Sequence, residues 1–133
     1  MKIADIEGVG PAYSEKLGKA GVGTTDELLA VAAKKKGRES LAASTGISEK
    51  LILEWTNHAD LMRIRGVGNE YSDLLEAAGV DSPSELAQRN AANLAKTFSE
   101  LDAARNTVRR VPSEKVVAGW IAQAKTMKKV VEH

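Results

Sequence analysis

The sequence predicts an all-α fold built as two tandem helical lobes, and three observations predict it. Ile6-Glu7-Gly8-Val9-Gly10-Pro11-Ala12-Tyr13-Ser14 returns as Ile64-Arg65-Gly66-Val67-Gly68-Asn69-Glu70-Tyr71-Ser72, and Leu17, Ala20, Gly21, Val22, Glu27 and Leu28 recur in register as Leu75, Ala78, Gly79, Val80, Glu85 and Leu86. Ser48-Glu49-Lys50-Leu51-Ile52, followed by Trp55 and Ala59, is echoed by Ser113-Glu114-Lys115-Val116-Val117, followed by Trp120 and Ala124. Alanine, leucine, lysine and glutamate dominate, apolar residues recur at helical spacing, and strand signals are missing. The chain therefore reads as an internal duplication with a short insertion in the second copy, giving lobes over 1–60 and 61–133.

The elements follow from their punctuation. Pro11 suits a first helical turn after the Gly8-Val9-Gly10 bend, and the helix it opens passes Leu17 and Ala20 before Gly21 stops it. The matching helix runs from Asn69 to Ala78 and is stopped by Gly79. Thr24-Thr25-Asp26-Glu27 is a capping box, and Ser82-Pro83-Ser84-Glu85 repeats the device with proline at the first helical position. Further helices are expected over roughly Lys36 to Ser44 and Asn93 to Arg105. Ser48 and Ser113 cap the longest helices, whose Trp55 and Trp120 are read as core anchors rather than ligand platforms. The last helix is expected to continue through Met127, Val130 and Val131, with Lys125, Lys128 and Lys129 on its solvated face.

Lysine and arginine number 19 against 18 acidic residues, a formal net charge of +1, so no strongly basic footprint marks the chain as a whole. Residues 1–60 carry eight Lys/Arg against nine Asp/Glu and residues 61–133 eleven against nine, which favours the second lobe for any phosphate contact. The absence of cysteine excludes disulfides, thiolate metal sites and thiol nucleophiles, and fits a reducing compartment. Short, charge-broken apolar runs and no signal-peptide pattern lead us to expect a soluble, cytoplasmic protein without membrane contact.

An apolar residue, Gly-apolar-Gly, a small residue four positions on and an apolar residue three beyond that is a pattern that resembles the helix-hairpin-helix motif. Here it reads Ile6, Gly8-Val9-Gly10, Ser14, Leu17 and again Ile64, Gly66-Val67-Gly68, Ser72, Leu75. The glycines suit a tight turn and the serines close helix packing, a reading complete without any ligand. The same turn opens a helix N-terminus, where unpaired amides and the positive dipole end favour an anion. Each lobe, from Gly8-Val9-Gly10-Pro11 through Ala20-Gly21 to Thr45-Gly46-Ile47-Ser48, also resembles the small amino-terminal helical domain of archaeal and eukaryotic strand-exchange recombinases. That resemblance implies a SAM-like lobe whose paired hairpins straddle the minor groove of duplex DNA. The whole chain resembles a bacterial family of tandem lobes known only as a domain of unknown function (DUF4332), which implies the fold and no activity.

The resemblance carries phosphate contact onto named positions. The Gly66-Val67-Gly68 hairpin with Arg63 and Arg65 ranks first, Gly46-Ile47 with Lys50 second, and Gly8 and Gly10 with Lys16 third, because Glu7 stands beside Gly8 where Arg65 stands beside Gly66. Arg110-Val111-Pro112-Ser113 has lost the turn glycine of Thr45-Gly46-Ile47-Ser48, so Arg109 and Arg110 would act through their side chains. Solvation, or pairing with Glu70 or Asp73, is the bland alternative for these arginines. An enzyme is not expected: His58 and His133 are the only histidines, no carboxylate pair stands out, the Gly18, Gly21, Gly23 cluster follows a helix, and Lys34-Lys35-Lys36 before Gly37-Arg38 reads as a solvated helix end rather than a P-loop. No metal, cofactor or small-molecule substrate is expected; a monovalent cation on hairpin carbonyls is an implication of the resemblance alone. Two functions remain, sequence-independent binding of duplex DNA and a protein-interaction adaptor on the same scaffold.

Overall fold

A computed structural model describes residues 1–105 and 108–133. Among the described residues every regular element is helical, apart from one isolated bridge between Lys2 and Thr24. Contacts divide the chain into two units, Met1–Asp60 with Val130–His133, and Leu61–Lys129.

In the first unit a 3-10 turn, Ile3–Asp5, precedes α1 (Gly10–Lys19), α2 (Thr25–Ala32), α3 (Lys35–Thr45) and α4 (Glu49–Leu61). Gly21, at φ 86°, stops α1, and the Val22 amide turns back onto Leu17 O at 2.8 Å. Thr24 Oγ1 caps α2 by accepting from the Glu27 amide at 3.1 Å, while Glu27 Oε1 accepts from Gly23 N at 3.1 Å. Gly46, at φ 73°, ends α3 in the left-handed region. The core gathers Ile3, Ile6, Val9, Leu17, Val22, Leu28, Ile52 and Trp55, all buried.

Lys34-Lys35-Lys36 lie at the start of α3, so the helix end they occupy is the positive end of its dipole. The cause is next door. A Cβ on Gly37 would stand 1.8 Å from Val31 O, so only glycine lets α3 start this close behind α2. Arg38 is consequently drawn inside, 5% exposed.

The second unit holds α5 (Asn69–Ala77), α6 (Pro83–Leu86), α7 (Ala91–Arg105) and α8 (Glu114–Thr126). Gly79, at φ 87°, closes α5 as Gly21 closes α1, with Val80 N donating to Leu75 O at 2.9 Å. Ser82 and Ser113 cap α6 and α8 through the amides of Glu85 and Val116, both at 3.2 Å. Ile64, Val67, Leu75, Val80, Phe98, Val117 and Trp120 form the core, where Phe98 and Tyr71 flank the Trp120 ring at centroid distances of 6.4 and 5.2 Å. Both tryptophans are buried core anchors.

α8 does not continue to Val131. Met127 is extended at φ −79°, ψ 136°, and the last four residues cluster with the first unit, where the sequence had assigned them to the second lobe. Tertiary contact overrides a serviceable helical sequence: Val131 is buried and the Glu132 amide donates to Ala33 O at 2.7 Å.

Candidate nucleic-acid interface

The two Gly-Val-Gly turns begin alike. Ile6 N donates to Ile3 O and Val9 N to Ile6 O, as Ile64 N does to Leu61 O and Val67 N to Ile64 O. Gly8 and Gly66 stand at φ 89° and 91°, a conformation costly to any residue with a Cβ. Both glycines are exposed, yet they differ in what a side chain would meet: an added Cβ would lie 3.9 Å from Trp55 Nε1 at Gly8, an ordinary contact, and a tight 3.1 Å from Trp120 Nε1 at Gly66. Only Gly66 makes room for its tryptophan.

The second glycine of each turn differs. Gly10 sits at φ 64°, whereas Gly68 is an extended N-cap at φ −101°, ψ −160°. A Cβ on Gly68 would meet nothing within 4 Å. Beyond it, the first amide of α5 to bond within its own helix is that of Ser72, to Gly68 O at 2.9 Å, so the preceding amides lie at an uncapped helix start. Pro11 occupies the equivalent of Asn69 in α1 and has no amide. The Val67 amide, engaged by Ile64 O, and the Ile47 amide, engaged by Thr45 Oγ1 at 3.2 Å, shape their turns instead of facing outward. Both of these side chains are buried.

Arg65 is exposed, and its main chain is gripped by Gln123 of α8, whose Oε1 accepts from Arg65 N at 2.9 Å and whose Nε2 donates to Arg65 O at 3.2 Å. Arg63 is half-buried and donates to Lys128 O at 3.2 Å. The 109–113 turn is brought to the start of α5: Tyr71 Oη donates to Arg110 O at 2.7 Å, and Arg109 Nε stands 3.8 Å from Glu70 Oε1. The Arg109 side chain is 93% exposed, so this pairing is weak. Arg110, Tyr71, Val111, Pro112, Ser113 and Val116 line a cleft of about 410 Å³ between the starts of α5 and α8. Two helix N-termini and two arginines thus share one face of the second unit.

The first-unit candidates are dispersed. Lys16 Nζ lies 5.9 Å from the Tyr13 ring centroid, and Tyr13 packs on Trp55 at 5.1 Å. Gly46 serves α3 as its C-cap, while Lys50, exposed at the start of α4, lines a separate cleft with Lys35, Arg38 and His133. Sequence reasoning did not single out Gln123, whose partner lies 58 positions away, or the burial of Arg38, which bonds the nearby Ala32 and Ala33 carbonyls and also Glu132 O, 94 positions away.

The profile of a family described as a domain of unknown function (DUF4332) matches residues 7–127. The chain belongs to this family. The match takes in both glycine turns, both tryptophans and the whole 109–113 turn, and stops within the extended segment after α8. No curated protein and no solved structure matches the chain. Among the described residues no group of three or more His, Cys, Asp or Glu could hold a metal ion, and no helix is long and apolar enough to cross a membrane.

Proposed function

We propose that this member of the DUF4332 family is a non-catalytic, cytoplasmic DNA-binding protein of helix-hairpin-helix type that contacts duplex phosphates without reading sequence. The observation that carries the reading is Gly68. Gly8, Gly10 and Gly66 need a positive φ, so their glycines are explained by the fold alone. Gly68 is extended with open space where a side chain would go, and it stands at the uncapped start of α5. A bare backbone there lets a phosphate oxygen reach the amides of the first helical turn. The exposed Arg65, three residues before Gly68, and Arg110, in the cleft at the start of α5, supply side-chain charge, with Arg109 able to exchange its weak hold on Glu70 for a phosphate. Glu70 and Glu114 temper the face, which argues for modest affinity.

The test is a titration of fluorescent duplex DNA at low and physiological salt with the native chain, Gly68→Val and Arg65→Glu. Native binding should fall with salt with a shallow slope, since roughly two to four phosphates would be neutralised, and each variant should weaken it about five- to tenfold while staying folded. Folded variants that bind as tightly as the native chain would overturn the assignment. One observation favours the adaptor reading: Val111, Pro112 and a 45% exposed Val116 give the cleft beside Tyr71 an apolar floor. That reading expects no salt-sensitive DNA binding and a specific protein held through Val116.

A further inference from the structure

The segment Val130–His133 is seated in the first unit by four separate contacts. Val131 is buried, and the Glu132 amide donates to Ala33 O at 2.7 Å. Glu132 O accepts from Arg38 Nη2, also at 2.7 Å, and His133 Nε2 lies 2.9 Å from Asn57 Oδ1. Arg38 is the unusual partner. It is 5% exposed, and its recorded acceptors are main-chain carbonyls, Ala32 O at 2.9 Å, Ala33 O at 3.1 Å and Glu132 O. A buried guanidinium with a carboxylate or phosphate gains a charge-assisted pair; carbonyl dipoles leave its charge only partly met. Around it Lys35, Lys50 and His133 line a cleft of about 310 Å³, with Glu49 as its acidic member. Glu132 itself lines the adjoining cleft with Lys34, Lys35, Lys36 and Glu39.

We propose that the 130–133 segment is an autoinhibitory strap that occupies the Arg38 side of a cation-lined phosphate site on the first unit, whose other cations, Lys35 and Lys50, are exposed. Seated, the segment supplies the Arg38 acceptor and lays Glu132 beside the lysine run. Displaced, it leaves Arg38 short of one acceptor and removes His133 from the cleft between the starts of α3 and α4, so that a phosphate held by Lys35 and Lys50 can also take Arg38. This inference rests on the phosphate reading of the chain but uses residues of the other unit.

Two released forms test it, a chain ending at Lys129 and the full-length Glu132→Pro variant, which removes the amide that donates to Ala33 O and touches no buried side chain. Both are titrated with fluorescent duplex DNA and with long-chain inorganic polyphosphate, after circular dichroism has established which is folded. Release should tighten binding about three- to tenfold and steepen the salt slope by about one to two, and adding Lys35→Glu should cancel the gain. In the native chain the Glu132 amide should be protected from hydrogen exchange and lose that protection at saturating polyphosphate. A folded released chain with unchanged affinity and slope overturns the strap, as does a Glu132 amide that stays protected. A gain on release that persists in an Arg65→Glu background would uphold the strap while the second-unit hairpin assignment fails; loss of binding in Arg65→Glu with no effect of release would do the reverse.

Discussion

The Gly8-Val9-Gly10 turn of the first unit and the Gly66-Val67-Gly68 turn of the second share their residues, their first glycine's conformation and their tyrosine–tryptophan packing, at 5.1 and 5.2 Å. They part at the third residue. Gly10 is left-handed and leads into Pro11, whereas Gly68 is extended and leads into Asn69. The shared half holds the turn against the core; the differing half decides what the helix start can offer a ligand. The contrast teaches that a motif match fixes packing more firmly than it fixes binding, and that four apparently equal glycines divide into three required by the backbone and one that is not.

The largest effect should come from the shared half. Gly66→Ala combines an unfavourable left-handed residue with a Cβ 3.1 Å from Trp120 Nε1, and should cost about 2–3 kcal/mol. Gly8→Ala meets Trp55 Nε1 only at 3.9 Å and should cost about 1–2 kcal/mol, the backbone part alone. Urea unfolding followed at Trp120 in a Trp55→Phe background, and at Trp55 in a Trp120→Phe background, separates the two. Equal losses would mean that the tryptophan contact is immaterial and that the two turns are interchangeable.

Much of the helical layout was legible because its signals are local. Thr24, Ser82 and Ser113 cap the helices that follow them, and Gly21, Gly46 and Gly79 end helices in the left-handed region, each through bonds spanning a few residues. The all-α class followed from such signals, and the family from the resemblance of the duplicated glycine-turn pattern. The burial of Arg38 was not legible: a run of lysines, glycine and arginine has the composition of a solvated surface, and it takes the approach of α3 to Val31 and the carbonyls of Ala32, Ala33 and Glu132 to hold it inside. The end of α8 failed for a related reason, since local propensity favours helix while Val131 finds a buried site in the first unit. Within the candidate site, the ranking of the second Gly-Val-Gly turn came from Arg65 against Glu7. The conformational difference at Gly68 adds a separate argument that residue identity could not supply, because Gly-Val-Gly is spelled the same way in both copies.

A smaller effect should come from the grip of α8 on the second turn. Gln123 both donates to and accepts from the Arg65 main chain, and the equivalent helical position in the first unit is the buried His58. Gln123→Leu removes both bonds from a half-exposed site where water can replace them in part, at a cost of about 1 kcal/mol. Gln123→Glu keeps the acceptor for Arg65 N and loses only the donor, so it should fall between. Thermal unfolding reads the order; a Glu variant no better than Leu would show that the bond to Arg65 N contributes nothing.

The smallest effect on stability should accompany the sharpest effect on binding. Asn69→Pro gives the second turn the Pro of the first: extended Gly68 suits a following proline, and the first helical position tolerates one, so stability should shift by no more than about 0.5 kcal/mol relative to Asn69→Ala. Ser72 Oγ keeps its acceptor, Asn69 O, because the carbonyl survives the substitution. What disappears is the backbone N–H of residue 69 at the start of α5. If that amide holds a phosphate, Asn69→Pro should bind duplex DNA about three- to tenfold more weakly than Asn69→Ala, and the second turn would be reduced to the standing of the first. Equal affinities in the two variants would locate any DNA contact in the Arg65 and Arg110 side chains alone, and the extended Gly68 would play no part in binding.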